Sequence, residues 1–145
     1  MLFRSYLLRL DGATLMKVAE QSVRGWPGNG SWLQIAGFAF RHDITNRSAS
    51  GLTWLGSGPI RKVGPKDPVL AVTSDYLINP DVGDQDGYQM LNRGQIESDC
   101  ARNGVDIKDL VIEDLKAARG RGIAPRVEGR ICQGTPGAPC LALAR

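Results

Sequence analysis

The chain has 145 residues, 42% hydrophobic and 23% charged, with 18 basic against 15 acidic side chains and a formal charge of +3. That balance is ordinary for a globular protein and the length suits one domain with its own core. The basic residues build no run, which argues against a nucleic-acid partner, and no apolar stretch nears the about 20 residues that cross a bilayer, so no membrane span is expected.

Tyr6 to Leu10 reads as a strand, broken by Asp11-Gly12. From Ala13 to Val23, Leu15, Val18, Ala19 and Val23 follow helical spacing, with Asp11 placed to cap the helix. Gly25 to Gly30 is dense in chain breakers. Trp32 to Phe40 is then β-like, with Gly37 marking a bulge or a close backbone approach. His42, the single histidine, stands in Phe40-Arg41-His42-Asp43 and is expected as a solvent-facing residue at a strand end. One histidine makes a self-contained dinuclear metal centre implausible.

Leu52 to Leu55, Gly56-Ser57-Gly58 and Pro59-Ile60 suggest a hairpin. Val69 to Thr73 is the clearest candidate for a buried strand. Asn79 to Gly87 forms a loop, and Asp106 to Ala118 a second amphipathic helix with Ile107, Leu110, Val111, Leu115 and Ala118 in one stripe. Gly134 to Pro139 suggests a flexible tail. Strands and helices alternate irregularly, so the expected fold class is α/β or α+β, a layered sandwich with mixed sheets and two main amphipathic helices.

Cys100, Cys132 and Cys140 are an odd count without CxxC spacing, which disfavours a zinc site. Cys132 and Cys140 flank a Gly/Pro-rich segment; a disulfide between them and free thiols both stand. Met1 to Ser5 lacks the apolar core of a secretory signal.

Gly28-Asn29-Gly30 and Gly56-Ser57-Gly58 do not link a strand to a helix as a phosphate-binding fingerprint requires, so they read as turns. Asp81, Asp84 and Asp86 lack the following glutamate of an EF-hand. The informative stretch is Asp75-Tyr76-Leu77-Ile78-Asn79 followed by Gly83 to Leu91. It sets an aromatic at a strand end, then a glycine-bearing loop with a carboxylate, then a second aromatic, Tyr88. An aromatic face stacks on a nucleobase, and a carboxylate accepts hydrogen bonds from the diol of a ribose. Tyr76 and Tyr88 as plain core or rim residues is an equal reading of the same residues.

Here the sequence resembles the C-terminal, substrate-binding domain of the 5'-nucleotidase family. Asp75-Tyr76-Leu77 and Gln85-Asp86-Gly87-Tyr88-Gln89-Met90 are similar to the family's Asn/Asp-Phe/Tyr-Leu and Gly-Gly-Asp-Gly-Phe/Tyr with Met. Leu10 to Leu15, Trp32 to Gly37 and Ile123 to Ile131 match three further family segments in the right order. The resemblance covers about Leu2 to Ile131, giving a domain over 1–131 without its first segment and a tail over 132–145.

The resemblance implies that Tyr76 stacks on the base and Asp86 binds the ribose hydroxyls, with Gly87 and Asn79 beside them. It implies a second aromatic sandwiching the base, Phe3 first and Tyr6 in competition. Two departures stand out: about four extra residues near Pro80 to Gly83, and Gln85 replacing the first loop glycine. The family's upstream Asn-x-Gly-x-x-Arg segment and its metallophosphatase domain, which holds two divalent metals, have no match. The chain alone is therefore expected to bind a nucleotide or nucleoside and to be inactive without the catalytic domain as partner. A non-enzymatic remnant is the alternative. The resemblance favours a periplasmic or extracellular location.

Overall fold

The computed structural model describes residues 4–28, 30–120, 122, 124 and 127–134. Phe3, Cys140 and the expected tail from residue 135 onward lie outside the described residues.

β1 (Ser5–Asp11) is the middle strand of a three-stranded antiparallel sheet, between β5 (Pro68–Ser74) and β6 (Ile96–Asp99). Its alternation points Leu8 and Leu10 into the core and Arg9 outward, where Arg9 grips Glu97 with two hydrogen bonds of 2.8 Å. Asp11 ends the strand and caps α1 (Gly12–Arg24), its Oδ1 accepting the Thr14 N–H at 2.7 Å. α1 packs on both sheets, burying Leu15, Val18, Ala19 and Val23 as the helical spacing predicts. Gly12 has a role that the sequence left hidden. It is the first residue of α1, and a Cβ there would stand 2.0 Å from the Gly64 carbonyl oxygen. Only glycine admits the 64–67 turn, whose Asp67 carbonyl accepts the Gly12 N–H at 2.9 Å.

The expected strand Trp32 to Phe40 holds only at its end. β2 (Phe38–Asp43) starts after Gly37, whose φ of +81° turns the chain. The preceding residues join no ladder; the Leu33 N–H donates instead to Ser22 Oγ, at 2.9 Å. β2 pairs antiparallel with β3 (Ser48–Trp54) and parallel with β7 (Ile131–Gln133), and β4 (Arg61–Lys62) completes a mixed sheet in the order β4-β3-β2-β7. The expected hairpin is β3–β4. β7 carries the sheet two residues past Ile131; Cys132 within it is disulfide-bonded, and Cys100 is free.

Three expectations are corrected. His42 is not solvent-facing: it lies inside β2, 3% exposed, with the rings of Trp32 and Trp26 edge-on at 5.4 and 6.4 Å. The two tryptophan rings cover its face of the strand. β5 is not buried throughout, because alternate residues face the open side of the sheet, as Arg9 does opposite Leu70: Val69 is buried, while Leu70 is 49% and Val72 62% exposed. α3 (Ile107–Ala117) forms where the pattern predicts, capped by Asp106, but none of its residues is buried, so its apolar stripe faces outward.

Candidate functional site

β5 runs straight into α2 (Asp75–Ile78), and this junction carries Tyr76. The chain then crosses a short 3-10 turn at Pro80–Val82 and another at Gln85–Gly87 before Tyr88 enters the core. The second turn is unusual. Gln85, Asp86 and Gly87 are all left-handed, with φ of +55°, +49° and +79°. Glycine adopts this region freely, whereas the other two residues are strained in it.

Side-chain bonds hold that turn in place. Gln85 is buried and its Nε2 donates to the carbonyls of Leu77 at 2.8 Å and Leu91 at 3.3 Å. Gln21 of α1 donates to the Asp86 carbonyl at 2.9 Å. Asp84 Oδ1 accepts the Asp86 N–H at 3.0 Å. Tyr88 is fully buried and its hydroxyl donates to the Ser31 carbonyl; burial pushes that hydroxyl up to about 12.

This turn aims the Asp86 carboxylate back at α2. The Tyr76 hydroxyl lies 3.3 Å from Asp86 Oδ1 and 3.2 Å from Asp84 Oδ1. Gly83 sits against the same ring, where a Cβ would come 3.2 Å from Cε2. Desolvation first, then the Asp84 hydrogen bond and both carboxylate charges, push the Tyr76 hydroxyl above its ordinary value. Tyr76 and Asp86 are both partly exposed, so a ligand can reach them.

Of the residues expected to form the site, Tyr76 and Asp86 come together. Asn79 is engaged differently: its Oδ1 accepts the Asp81 N–H at 3.2 Å and Arg93 Nη2 at 2.7 Å, which fixes the start of the first 3-10 turn. It borders a polar cleft of about 380 Å³ with Arg4, Tyr6, Asp75, Arg93 and Ile96, beside Tyr76 rather than around it. Gly87 does not open the backbone toward a ligand. A Cβ there would stand 2.3 Å from Gln21 Nε2, so its bareness admits that side chain. Tyr88, the second aromatic of the motif, is a core residue. Phe3 lies outside the described residues; Tyr6 borders the cleft.

Gln21 and Arg93 escaped sequence reasoning. Asp84 was visible only as one of three loop aspartates, and Gln85 only as a departure where the family motif has glycine. Among the described residues no three His, Cys, Asp or Glu side chains gather in a way that could hold a metal ion. None of the described helices is long and apolar enough to cross a membrane.

No protein-family model and no curated protein matches the sequence. Solved structures do match the fold. A 5'-nucleotidase precursor from Thermus thermophilus superposes with a TM-score of 0.72 at 18% identity, over 90% of this chain and 25% of that one. A Staphylococcus aureus protein described as a candidate 5'-nucleotidase, solved with alpha-ketoglutarate, gives 0.61 at 16% identity, over 90% and 27%. The NAD nucleotidase of Haemophilus influenzae gives 0.60 at 14%, over 92% and 23%. The chain thus has the α+β fold of a portion of these nucleotidases and spans about a quarter of their length. The fold that the resemblance implies is borne out.

Proposed function

We propose that this chain is the substrate-specificity domain of a 5'-nucleotidase-like metallophosphoesterase, holding the base and ribose of a nucleotide while another domain performs the hydrolysis. The observation that carries the reading is the meeting of Tyr76 and Asp86 at 3.3 Å on a partly exposed surface. The aromatic ring offers a stacking face to the base, and the carboxylate offers acceptors to the ribose hydroxyls. One phenolic hydrogen serves two carboxylate oxygens, and both contacts exceed the usual O–H···O distance of about 2.7 Å, so a diol with two donors competes well for them. Phe3 is the proposed second face of the base site, and Asn79 and Gly87 shape its surroundings.

The chain's contribution is position, not bond breaking. The water-activating chemistry belongs to two divalent metals in the partner metallophosphatase domain. The proposed setting is nucleotide breakdown in the periplasm or outside the cell.

Isothermal titration of the folded chain with adenosine and uridine tests this. Weak binding is expected, since a nucleoside offers the site only its base and ribose; no heat at millimolar ligand sinks the base site. A second reading, an interaction or structural domain, draws on the same contacts: the loop already engages Tyr76 within the chain. Under it, Tyr76→Ala and Asp86→Ala leave partner binding unchanged.

A further inference from the structure

Asp86 faces Tyr76 from a left-handed backbone, with φ of +49° and ψ of +30°. An aspartate left to itself favours the right-handed or extended regions, and either would swing the carboxylate away from the place it holds. Gln85 ties the turn to its own flanks, at Leu77 and Leu91. Asp86 is gripped from much further off. Gln21 Nε2, 65 residues away on α1, donates to its carbonyl at 2.9 Å. The base for that bond is firm, because Val18, Ala19, Ser22 and Val23 of the same helix are buried. Ser22 is itself hydrogen-bonded to the Tyr88 hydroxyl, so consecutive residues of α1 hold the turn and the aromatic that follows it. Gly87 completes the fit: a Cβ there would stand 2.3 Å from Gln21 Nε2, so the amide lies against bare backbone.

We propose that Gln21 is a positioning residue of the nucleoside site: its amide holds Asp86 in the conformation that presents the carboxylate to a ribose, and so sets the preference for ribose over 2'-deoxyribose. The proposal rests on the ribose role given to Asp86 above. Gln21 acts through the Asp86 backbone and needs no contact with the ligand. With the bond in place, the carboxylate is set before the nucleoside arrives. Without it, binding has to restore the left-handed turn, and that burden falls on the diol contact. Base stacking is spared, because the Tyr76 ring is placed by α2 and not by the turn.

Gln21→Met in the full chain tests the assignment, because methionine keeps the length and helix preference of glutamine and has no N–H to donate. Gln21 is partly exposed, so the helix tolerates the change. In the free protein, backbone chemical shifts should show a left-handed Asp86 in the wild type and lose that signature in the variant, with the Tyr88 and β5 shifts held. Calorimetric titration should then show adenosine affinity lowered by about threefold to tenfold, the effect of one hydrogen bond, and 2'-deoxyadenosine affinity changed by less than about twofold. Unaltered Asp86 shifts in Gln21→Met overturn the proposal. Equal weakening of the two nucleosides also overturns it, since a merely structural role would give that result. A wild type that binds neither nucleoside removes the ribose reading and this proposal with it, whereas a wild type that prefers adenosine, with the preference intact in Gln21→Met, overturns the role of Gln21 alone.

Discussion

The Tyr76 hydroxyl lies 3.3 Å from a carboxylate oxygen of Asp86, a residue ten positions further along the chain. A helix start and a strained turn, each set by its own local interactions, have converged to bring an aromatic face and a carboxylate to one place. If they hold a nucleoside, their removals should differ in kind. Tyr76→Ala deletes the stacking face, worth about 1–3 kcal/mol per base, and should weaken adenosine binding roughly tenfold to a hundredfold. Tyr76→Phe keeps that face, frees both carboxylates and should bind at least as well. Asp86→Ala should erase the preference for adenosine over 2'-deoxyadenosine. Calorimetric titration of the three variants checks the set; equal losses in all of them would point to a general collapse of the loop.

Gln85 occupies a left-handed backbone position with φ of +55° and offsets that strain with two buried hydrogen bonds. Gln85→Ala removes the bonds and retains the strain. It should cost about 2–3 kcal/mol in urea unfolding, the sum of typical losses for two carbonyls left short of a donor. Gln85→Gly loses the same bonds but relaxes the backbone, and should recover about 1 kcal/mol of the cost. A glycine variant no better than the alanine one would show that the turn is unstrained.

Gly87 tests packing in the same turn. A Cβ there meets Gln21 Nε2 at 2.3 Å, and φ is +79°. Gly87→Ala should destabilise by about 1–3 kcal/mol. Because the clashing atom ends a flexible side chain, adding Gln21→Ala should return part of the loss but not the backbone share. The double variant, measured by thermal unfolding, separates the two.

Local rules made much of the fold legible. The Asp11 cap, the stripe of α1, the alternation of β1 and the β3–β4 hairpin each follow from residues close in sequence. What sequence did not disclose depends on partners far away. Trp32 to Ala36 has strand-forming residues but no neighbouring strand to pair with. β5 is rich in valine and leucine yet turns alternate residues to the open side of its sheet, and α3 has an apolar stripe with no residue of the helix buried. Tyr76 and Asp86 were visible through the motif, whereas Gln21 acts across 65 residues, and no local pattern could announce it.

His42 offers a pH test whose sign is fixed by its surroundings. Burial among Trp26 and Trp32 holds its pKa below the ordinary value of 6.5, with the neighbouring Asp43 charge working against that shift. Its Nε2 has no hydrogen-bond partner to receive a proton's charge. The unfolded chain therefore takes up a proton below about 6.5 that the folded chain does not, and stability falls as pH falls through that window. Asp11, Asp43, Asp67 and Glu97 are shifted down by hydrogen bonds in the folded state, so their contributions are lost only at lower pH, below about 4. Urea midpoints between pH 7 and 5 should thus decline in the wild type and stay nearly flat in His42→Phe, with both falling together below pH 4. An equal decline in the two proteins between pH 7 and 5 would show that the buried imidazole is not what resists acid.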